Sequence, residues 1–196
     1  MLEPISKYYF DGKRFILKSR WPKRIRAVLS LAFMVFSISF ANNTAHSFYT
    51  KSYSDWRIEY VQFIKASNTN LSHSDALAIT NSILKWSNKF NIDEKLLLAI
   101  IKVESNFNIH AISTSGALGL MQVIPVWHKE KFFEARKVLG NPEPFNINTN
   151  IWMGTKILST CIDQTKGINK ALLCYAGQTP GYDTKVIAEF NKLKRL

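Results

Sequence analysis

Apolar residues recur at helical spacing along most of the chain beyond residue 55, whereas strand-like alternation never extends over more than a few positions. The pattern predicts helices over about residues 56–64, from Ser72 or Ser74 to about Phe90, and over about 93–105, 126–139, 150–162, 169–175 and 183–194. No internal repeat is present. The fold class expected from this pattern is mainly α.

The predicted helix over residues 93–105 ends its apolar stripe in a carboxylate. At 100° per residue, Leu97, Ile100 and Ile101 fall within about 60° of Glu104, and both lysines of this helix point to the opposite side. Burial without a local cation raises the pKa of a carboxyl group, as a general acid near neutral pH requires. The alternative is a water-exposed Glu at a fraying helix end, and periodicity alone does not decide between the two.

The segment after Glu104 carries a recognisable motif. A loop of small residues from Ser113 to Gly119 leads into an apolar run that ends near Pro125, and glycines allow backbone to approach a ligand closely. The patterns E-S-x-F-N-x-x-A-x-S, starting at Glu104, and G-A-x-G-L-M-Q-V-x-P, ending at Pro125, closely resemble lytic transglycosylases with the soluble-transglycosylase fold, relatives of goose-type lysozyme. The resemblance implies a lysozyme-like single α-helical domain.

This resemblance covers about residues 76–190. Further matching positions are Asn150-Ile151, Gly154, Ile157-Leu158, Ala171-Leu172, Tyr175, Tyr182 and Lys185-Val186. Agreement of many fixed spacings over about a hundred residues is far more specific than one short motif.

The resemblance also implies a reaction. Peptidoglycan glycan strands would be cut between N-acetylmuramic acid and N-acetylglucosamine, with Glu104 as acid and then base, and the muramic acid 6-hydroxyl would close on C1 to give a 1,6-anhydro product. No cofactor is expected. The alternatives are a lysozyme-like hydrolase and a non-catalytic wall-binding scaffold.

Four residues match substrate-contacting positions of that family. Ser113 and Gln122 would hold the sugar and its N-acetyl group, and Met121 would offer an apolar wall to a sugar face, with a core methionine as its alternative. Tyr175 would lie beside the acid, with a packed core tyrosine as its alternative.

Two further matching residues are expected to support the site, and one position departs from the family pattern. Ser105 would bond backbone or support Glu104, and Asn150 would cap the helix that carries Gly154. The family usually has Asn after the tyrosine, whereas Ala176 follows Tyr175 here, so a polar group near the groove is missing.

The two cysteines and four histidines do not form a metal-binding pattern. No Cys/His cluster has the spacing of a zinc site, so no metal is expected. Cys161 and Cys174 would lie on consecutive helices. In an oxidising compartment a disulfide is expected, and two buried free thiols are the alternative.

The net charge of the chain gives little information about its binding partners. The net charge of the 196 residues is +12, and residues 1–41 carry eight Lys/Arg against two acidic groups, which is half of the excess. The other half would favour an anionic polymer or serve only solubility. Lysines and arginines are scattered without a recognised binding motif, so nucleic acid is not expected.

The chain begins with features of an export segment. Basic residues precede the uncharged apolar run Ala27–Phe40, and Ser39-Phe40-Ala41 offers a small-residue cleavage site. Residues 1–41 are therefore a cleaved signal or an uncleaved anchor, 42–72 a linker with a short helix, and 73–196 the catalytic domain. The exported protein would be periplasmic or attached to the outer face of the inner membrane. It would contact the membrane only through residues 1–41, if these are not cleaved. Envelope-spanning machinery is a further candidate partner.

Overall fold

The computed structural model describes residues 8–10, 15–17 and 57–195. The chain divides into two compact units, Met1–Tyr53 and Ser54–Leu196. In the first unit, strands β1 (Tyr8–Phe10) and β2 (Phe15–Leu17) pair antiparallel, with Tyr9 opposite Ile16. Three residues per strand are too few for alternation to be recognised, so this pair was not predicted. The apolar run and the candidate cleavage site lie outside the described residues.

The described residues of the second unit form helices, with two isolated β-bridges in the loop after the third. Its described elements are helix α1 (57–67), α2 (His73–Phe90), α3 (Glu94–Ser105), α4 (Lys129–Leu139), α5 (Ile147–Gln164), α6 (Ile168–Tyr175) and α7 (Tyr182–Leu193). The predicted mainly α class is confirmed. Within the described part of the chain, no helix is both long and apolar enough to cross a membrane.

The caps show why two of these helices begin where they do. Ser72, one of two predicted candidates, caps α2 by accepting a hydrogen bond from the Asp75 amide at 3.0 Å. Asp93 was expected inside the first turn of α3 but is its N-cap, accepting from the Lys95 amide at 2.8 Å. Its negative charge still lies at the positive end of the helix dipole.

Helices α4 and α5 begin at other positions than predicted. The chain after Pro125 forms a turn in which the His128 amide donates to the Pro125 carbonyl, so α4 starts three residues later than expected. Helix α5 starts three residues earlier, because the Asn146 side chain caps it by accepting from the Thr149 amide. The prediction that Asn150 caps this helix was wrong, since Asn150 lies inside its first turn.

The middle of α3 is the centre of the core. Every residue from Leu96 to Ile101 is buried, and the helix packs against α2 and α7. Tyr60, Val61 and Ile64 of α1 are buried in the same core, so this short helix packs against the domain instead of merely tethering it. This core positions the C-terminal end of α3 beside the loop that follows it and the start of α7.

Candidate active site

Glu104 lies at the C-terminal end of α3, in the wall of a cavity of about 270 Å³. Leu97, Ile100 and Ile101, on the same side of the helix, are completely buried, as the periodicity predicted. The cavity is also lined by the loop that follows α3 and by the start of α7. Glu104 is the only carboxylate among the described residues that line it.

The electrostatic setting of Glu104 favours its protonated form. Burial raises the pKa of its carboxyl from 4.5 to about 7, against the opposing effect of a hydrogen bond from Tyr182. Neither lysine of α3 approaches it: Lys95 Nζ donates to the Leu193 carbonyl at 2.9 Å, and Lys102 Nζ donates to Asn106 Oδ1 at 2.5 Å. At neutral pH the group is therefore present both as acid and as carboxylate.

Tyr182 is the residue that directly contacts the carboxyl. Its hydroxyl donates to Glu104 Oε1 at 2.6 Å, and burial raises the pKa of Tyr182, so the phenol remains a donor. Tyr182 was one of the positions that match the family, but no role was assigned to it. Apart from that match, nothing in the sequence connects it with Glu104, which lies 78 residues earlier.

Tyr175 contacts Tyr182, the tyrosine that bonds Glu104. Its hydroxyl donates to the Met121 carbonyl at 2.6 Å, and its ring stacks on Tyr182 with centroids 6.3 Å apart. The ring lines the cavity, and burial raises the pKa of Tyr175 as well. Tyr175 thus lines the same cavity as Glu104, but its hydroxyl bonds the Met121 carbonyl and not the carboxyl.

The loop that follows α3 is shaped by close backbone contacts. Gly119 has φ +75, and a side chain there would collide with Asn150 and the Pro144 carbonyl. Gln122 lines the cavity, and its amide nitrogen donates to the Gly119 carbonyl at 2.9 Å and to the Ala111 carbonyl at 3.3 Å. Its side-chain oxygen is the part of the amide left to accept a hydrogen bond from a ligand.

Ser113 lies at the other end of the same loop. Its hydroxyl accepts a hydrogen bond from the Ala117 amide at 3.0 Å and lines the cavity, so its own proton can be donated to a ligand. Of the predicted contact residues, Ser113, Gln122 and Tyr175 therefore share one cavity with Glu104.

Met121 does not line that cavity. It is completely buried and packs on Gly154, where any side chain would collide with its sulfur. The absence of a side chain at Gly154 lets α5 come close enough to enclose the methionine. The expectation that Met121 walls the sugar site is corrected: it is a core residue beneath the loop.

Two polar residues hold the loop in place. Asn150 is buried, accepts from the Met121 amide at 2.7 Å, and donates to the Leu118 carbonyl at 2.9 Å and the Pro144 carbonyl at 2.7 Å. Ser105 donates to the Leu120 carbonyl at 2.8 Å and so ties the end of α3 to the loop. Both side chains bond backbone, which satisfies polar groups that burial would otherwise penalise.

The remaining candidate features are a disulfide and the position after Tyr175. Cys161 of α5 and Cys174 of α6 are bonded, with their Cα atoms 5.8 Å apart. Ala176 lines the cavity where the resembling family usually has Asn. Among the described residues, no group of three or more His, Cys, Asp or Glu could hold a metal ion.

Comparisons with known proteins identify the family. Residues 81–194 match the family described as Transglycosylase SLT domain. Membrane-bound lytic murein transglycosylase E of Buchnera aphidicola subsp. Baizongia pistaciae is 38% identical over 96 residues, which are 46% of this chain and 45% of the relative. Membrane-bound lytic murein transglycosylase C of Photorhabdus laumondii subsp. laumondii is 43% identical over 80 residues, which are 39% of this chain and 22% of the relative.

A phage protein is similar over a longer stretch. The transglycosylase of Enterobacteria phage PRD1 is 30% identical over 129 residues, which are 61% of this chain and 46% of the phage protein. The chain spans less than half the length of each of these three relatives. The family match, however, takes in more than half of the chain, and the protein therefore belongs to the Transglycosylase SLT domain family.

Proposed function

We propose that this protein is a peptidoglycan lytic transglycosylase that cleaves the bond between N-acetylmuramic acid and N-acetylglucosamine and leaves a 1,6-anhydro end. The observation that carries the proposal is the carboxyl of Glu104, with a pKa of about 7, in a cavity where it is the only carboxyl among the described lining residues, which include Ser113 and Gln122. Two relatives are named lytic murein transglycosylases, which agrees with murein strands as the substrate.

Glu104 would act twice in the reaction. The protonated carboxyl gives its proton to the glycosidic oxygen as the C1–O bond breaks, and the resulting carboxylate then accepts the proton of the muramic acid 6-hydroxyl as that oxygen bonds to C1. One group suffices because the two transfers occur in sequence, and a pKa near the working pH suits both. No water is consumed, so the products together have the composition of the starting strand.

The absence of a second carboxylate from the lining of this cavity, among the described residues, favours this route over hydrolysis. Most glycosidases use two carboxyl groups, the second serving as nucleophile or as the base that activates water. Among the described residues that line the cavity, Glu104 has no such partner. An internal hydroxyl held in place by the substrate removes the need for one.

The other residues of the cavity position these groups. Tyr182 fixes one oxygen of Glu104, which directs the other oxygen towards the substrate. Ser113 would donate to a sugar oxygen, and the Gln122 side-chain oxygen would accept from the N–H of an N-acetyl group.

The same proposal places the protein in the cell envelope, either in the periplasm or on the outer face of the inner membrane. Two relatives are named membrane-bound, and the basic and apolar residues before Ala41 are typical of an export segment. Envelope-spanning machinery remains a candidate partner, since local opening of the wall would allow such machinery to be inserted.

Mass spectrometry of muropeptides released from purified sacculi tests the activity. We expect products that end in 1,6-anhydro-muramic acid, each lighter by one water than the hydrolytic product. Reducing ends alone would instead indicate the lysozyme-like hydrolase. Binding to sacculi without release of muropeptides would indicate the non-catalytic scaffold. Ala176, at the position where the family usually has Asn, favours that alternative.

A further inference from the structure

Helix α1 contacts both ends of α3, the helix that carries the candidate acid. At the start of α3, the Tyr60 hydroxyl donates to Glu94 Oε1 at 3.2 Å. At its end, the Asn106 side-chain amide donates to the Ser67 carbonyl at 2.9 Å. Helix α1 precedes residue 81, where the match to the family begins, so these contacts come from outside the matched domain.

The backbone directly after Glu104 and Ser105 has an unusual conformation. Two successive residues have positive φ angles, +49 at Asn106 and +60 at Phe107. Asn tolerates the left-handed region, whereas a bulky residue such as Phe is a genuine outlier there. Because such a conformation persists only where the surrounding structure holds it, this turn depends on contacts with other segments.

Helix α1 and the residue that follows it supply those contacts. The Asn68 side-chain amide donates to the Phe107 carbonyl at 3.3 Å, and its Oδ1 accepts from the Asn70 amide at 3.2 Å, which fixes its orientation. The Phe107 ring is completely buried and meets the Phe63 ring of α1 edge-on, with centroids 5.9 Å apart. Both residues with positive φ are thus held from the same side.

The turn that is held in this way joins the acid to the loop that shares its cavity. Glu104 lies just before the turn, and the loop with Ser113 and Gln122 follows it. A change of backbone angles at Asn106 or Phe107 would therefore move the carboxyl relative to the loop and admit water to it. Displacements of about 1 Å are enough to slow a reaction that depends on exact placement of its groups.

We infer that Asn68 is a positioning residue for catalysis: through the left-handed turn at Phe107 it holds Glu104 in register with the loop that contacts the substrate. The inference rests on the proposed function, because that function makes Glu104 the acid. Asn68 is not among the described residues that line the cavity, so it acts on the reaction only through the turn. The unit needed for catalysis then begins at α1.

Steady-state cleavage of soluble peptidoglycan strands over a range of pH tests the inference. Asn68→Ala removes the bond to the Phe107 carbonyl, so kcat should fall about fivefold to tenfold, with little change in KM because no substrate contact is lost. Burial is what raises the pKa of Glu104, so a looser turn should move the alkaline limb of the profile to lower pH, by roughly one unit.

Tyr60→Phe is the matched control for Asn68→Ala. It also removes one hydrogen bond between α1 and α3, but at the end of α3 that is remote from the cavity. It should change neither kcat nor the pH profile, and melting curves should show both variants folded. Equal effects in the two variants would mean that α1 acts only by stabilising the domain, which overturns the inference.

Two substitutions at Asn106 test the backbone conformation itself. Asn106→Ala and Asn106→Gly both remove the bonds to Ser67 and Lys102, but only glycine adopts positive φ without strain. Asn106→Ala should therefore lose kcat and shift the profile as Asn68→Ala does, whereas Asn106→Gly should keep most of the parent's kcat. Equal losses in both would show that the conformation of the turn is not what matters, and would also overturn the inference.

The other titratable groups that line the cavity in the described part of the chain are His128, Tyr175 and Tyr182. Burial lowers the pKa of His128 and raises the pKa of both tyrosines, so none of them titrates near pH 7. Both lysines of α3 bond to groups outside the cavity. An alkaline limb near pH 7 therefore reports on Glu104.

A direct titration separates this inference from the chemistry. The carboxyl carbon resonance of Glu104, assigned in NMR spectra by comparison with Glu104→Gln, should titrate with a pKa of about 7 in the parent and with a lower pKa in Asn68→Ala. If the pKa falls but the parent does not cleave strands, the proposed reaction fails and the positioning role stands. If the parent cleaves them and Asn68→Ala changes neither kcat nor the pKa, the positioning role is overturned and the proposed function stands.

Discussion

The two ends of α3 carry the same pair of side chains in opposite settings. At the N-terminal end, Tyr60 donates to Glu94 at 3.2 Å, and at the C-terminal end Tyr182 donates to Glu104 at 2.6 Å. Glu94 lies in the first turn, where the helix dipole favours a negative charge, whereas Glu104 lies in the last turn, where it disfavours one. Only Glu104 lines the cavity with Ser113 and Gln122.

A Glu–Tyr hydrogen bond therefore does not by itself mark a catalytic group. At Glu94 the dipole and the bond act together to stabilise the carboxylate, which makes that pair a structural one. At Glu104, burial and the helix dipole disfavour the negative charge of the carboxylate. The hydrogen bond from Tyr182 offsets this only in part, so the carboxyl can both hold and release a proton near neutral pH. The difference lies in position along the helix and in access to the cavity.

The largest expected effect is on catalysis by Glu104→Gln. The amide keeps the shape of the side chain but cannot transfer a proton, so release of product from sacculi should fall by roughly 10²–10⁴-fold, the usual contribution of a general acid. Glu94→Gln is the matched control at the other end of the same helix and should keep the parent's rate. Equal losses in both variants would show that the two ends do not differ as proposed.

The next effect is on stability, and it has the opposite sign. Between pH 4.5 and about 7 the folded protein holds a proton on Glu104 that the unfolded chain has lost, so the stability contributed by this proton falls as pH rises through that window. At pH 7 the cost of the raised pKa is on the order of 2–3 kcal/mol, because each pKa unit corresponds to about 1.36 kcal/mol.

Glu104→Gln should relieve that cost. The free energy of unfolding at pH 7 should exceed that of the parent, and the gain should shrink towards pH 4, where the parent carboxyl is already protonated. Denaturant unfolding at both pH values measures the difference. A Gln variant less stable than the parent at pH 7 would mean that Glu104 is a structural carboxylate, like Glu94.

Tyr182→Phe tests the bond at the catalytic end. The hydrogen bond lowers the pKa of Glu104, so its loss should move the alkaline limb of the pH–rate profile to higher pH. Loss of a hydrogen bond to a charged group should also cost about 1.5 kcal/mol of stability. Tyr60→Phe, which removes the corresponding bond to Glu94, should leave the pH–rate profile unchanged, and a shift of equal size in both variants would contradict the distinction.

Helical periodicity predicted the fold class and the burial beneath Glu104, because a repeating apolar face is recorded directly in neighbouring residues. It failed at the starts of α4 and α5, which depend on local features without periodicity: a turn after Pro125 delays α4, and the side chain of Asn146 caps α5. The role of Asn150 was misassigned for a different reason: its side chain bonds the backbone of Leu118, Met121 and Pro144, and helical periodicity does not record such contacts.

The site was predicted in part. The motif contained Glu104, Ser113 and Gln122, which lie within 18 residues of one another, at the end of α3 and in the loop that follows it. The role of Tyr182 was missed, because its contact with Glu104 exists only once α7 packs against α3. Met121 was misplaced because the sequence does not show that Gly154 leaves room for it in the core.

The smallest expected effect is on stability at the N-terminal end of α3. Glu94→Gln removes a negative charge from the first turn, where the dipole interaction is worth about 0.3–1 kcal/mol, and weakens the bond from Tyr60. The variant should therefore lose about 0.5–1 kcal/mol at pH 7, whereas Glu104→Gln gains stability under the same conditions. The loss should diminish in high salt, which screens the dipole interaction at this partly exposed position. Unfolding in urea at low and high ionic strength measures it. A gain in stability for Glu94→Gln would show that the carboxylate is disfavoured at both ends, and the raised pKa of Glu104 would then no longer distinguish the catalytic end of the helix.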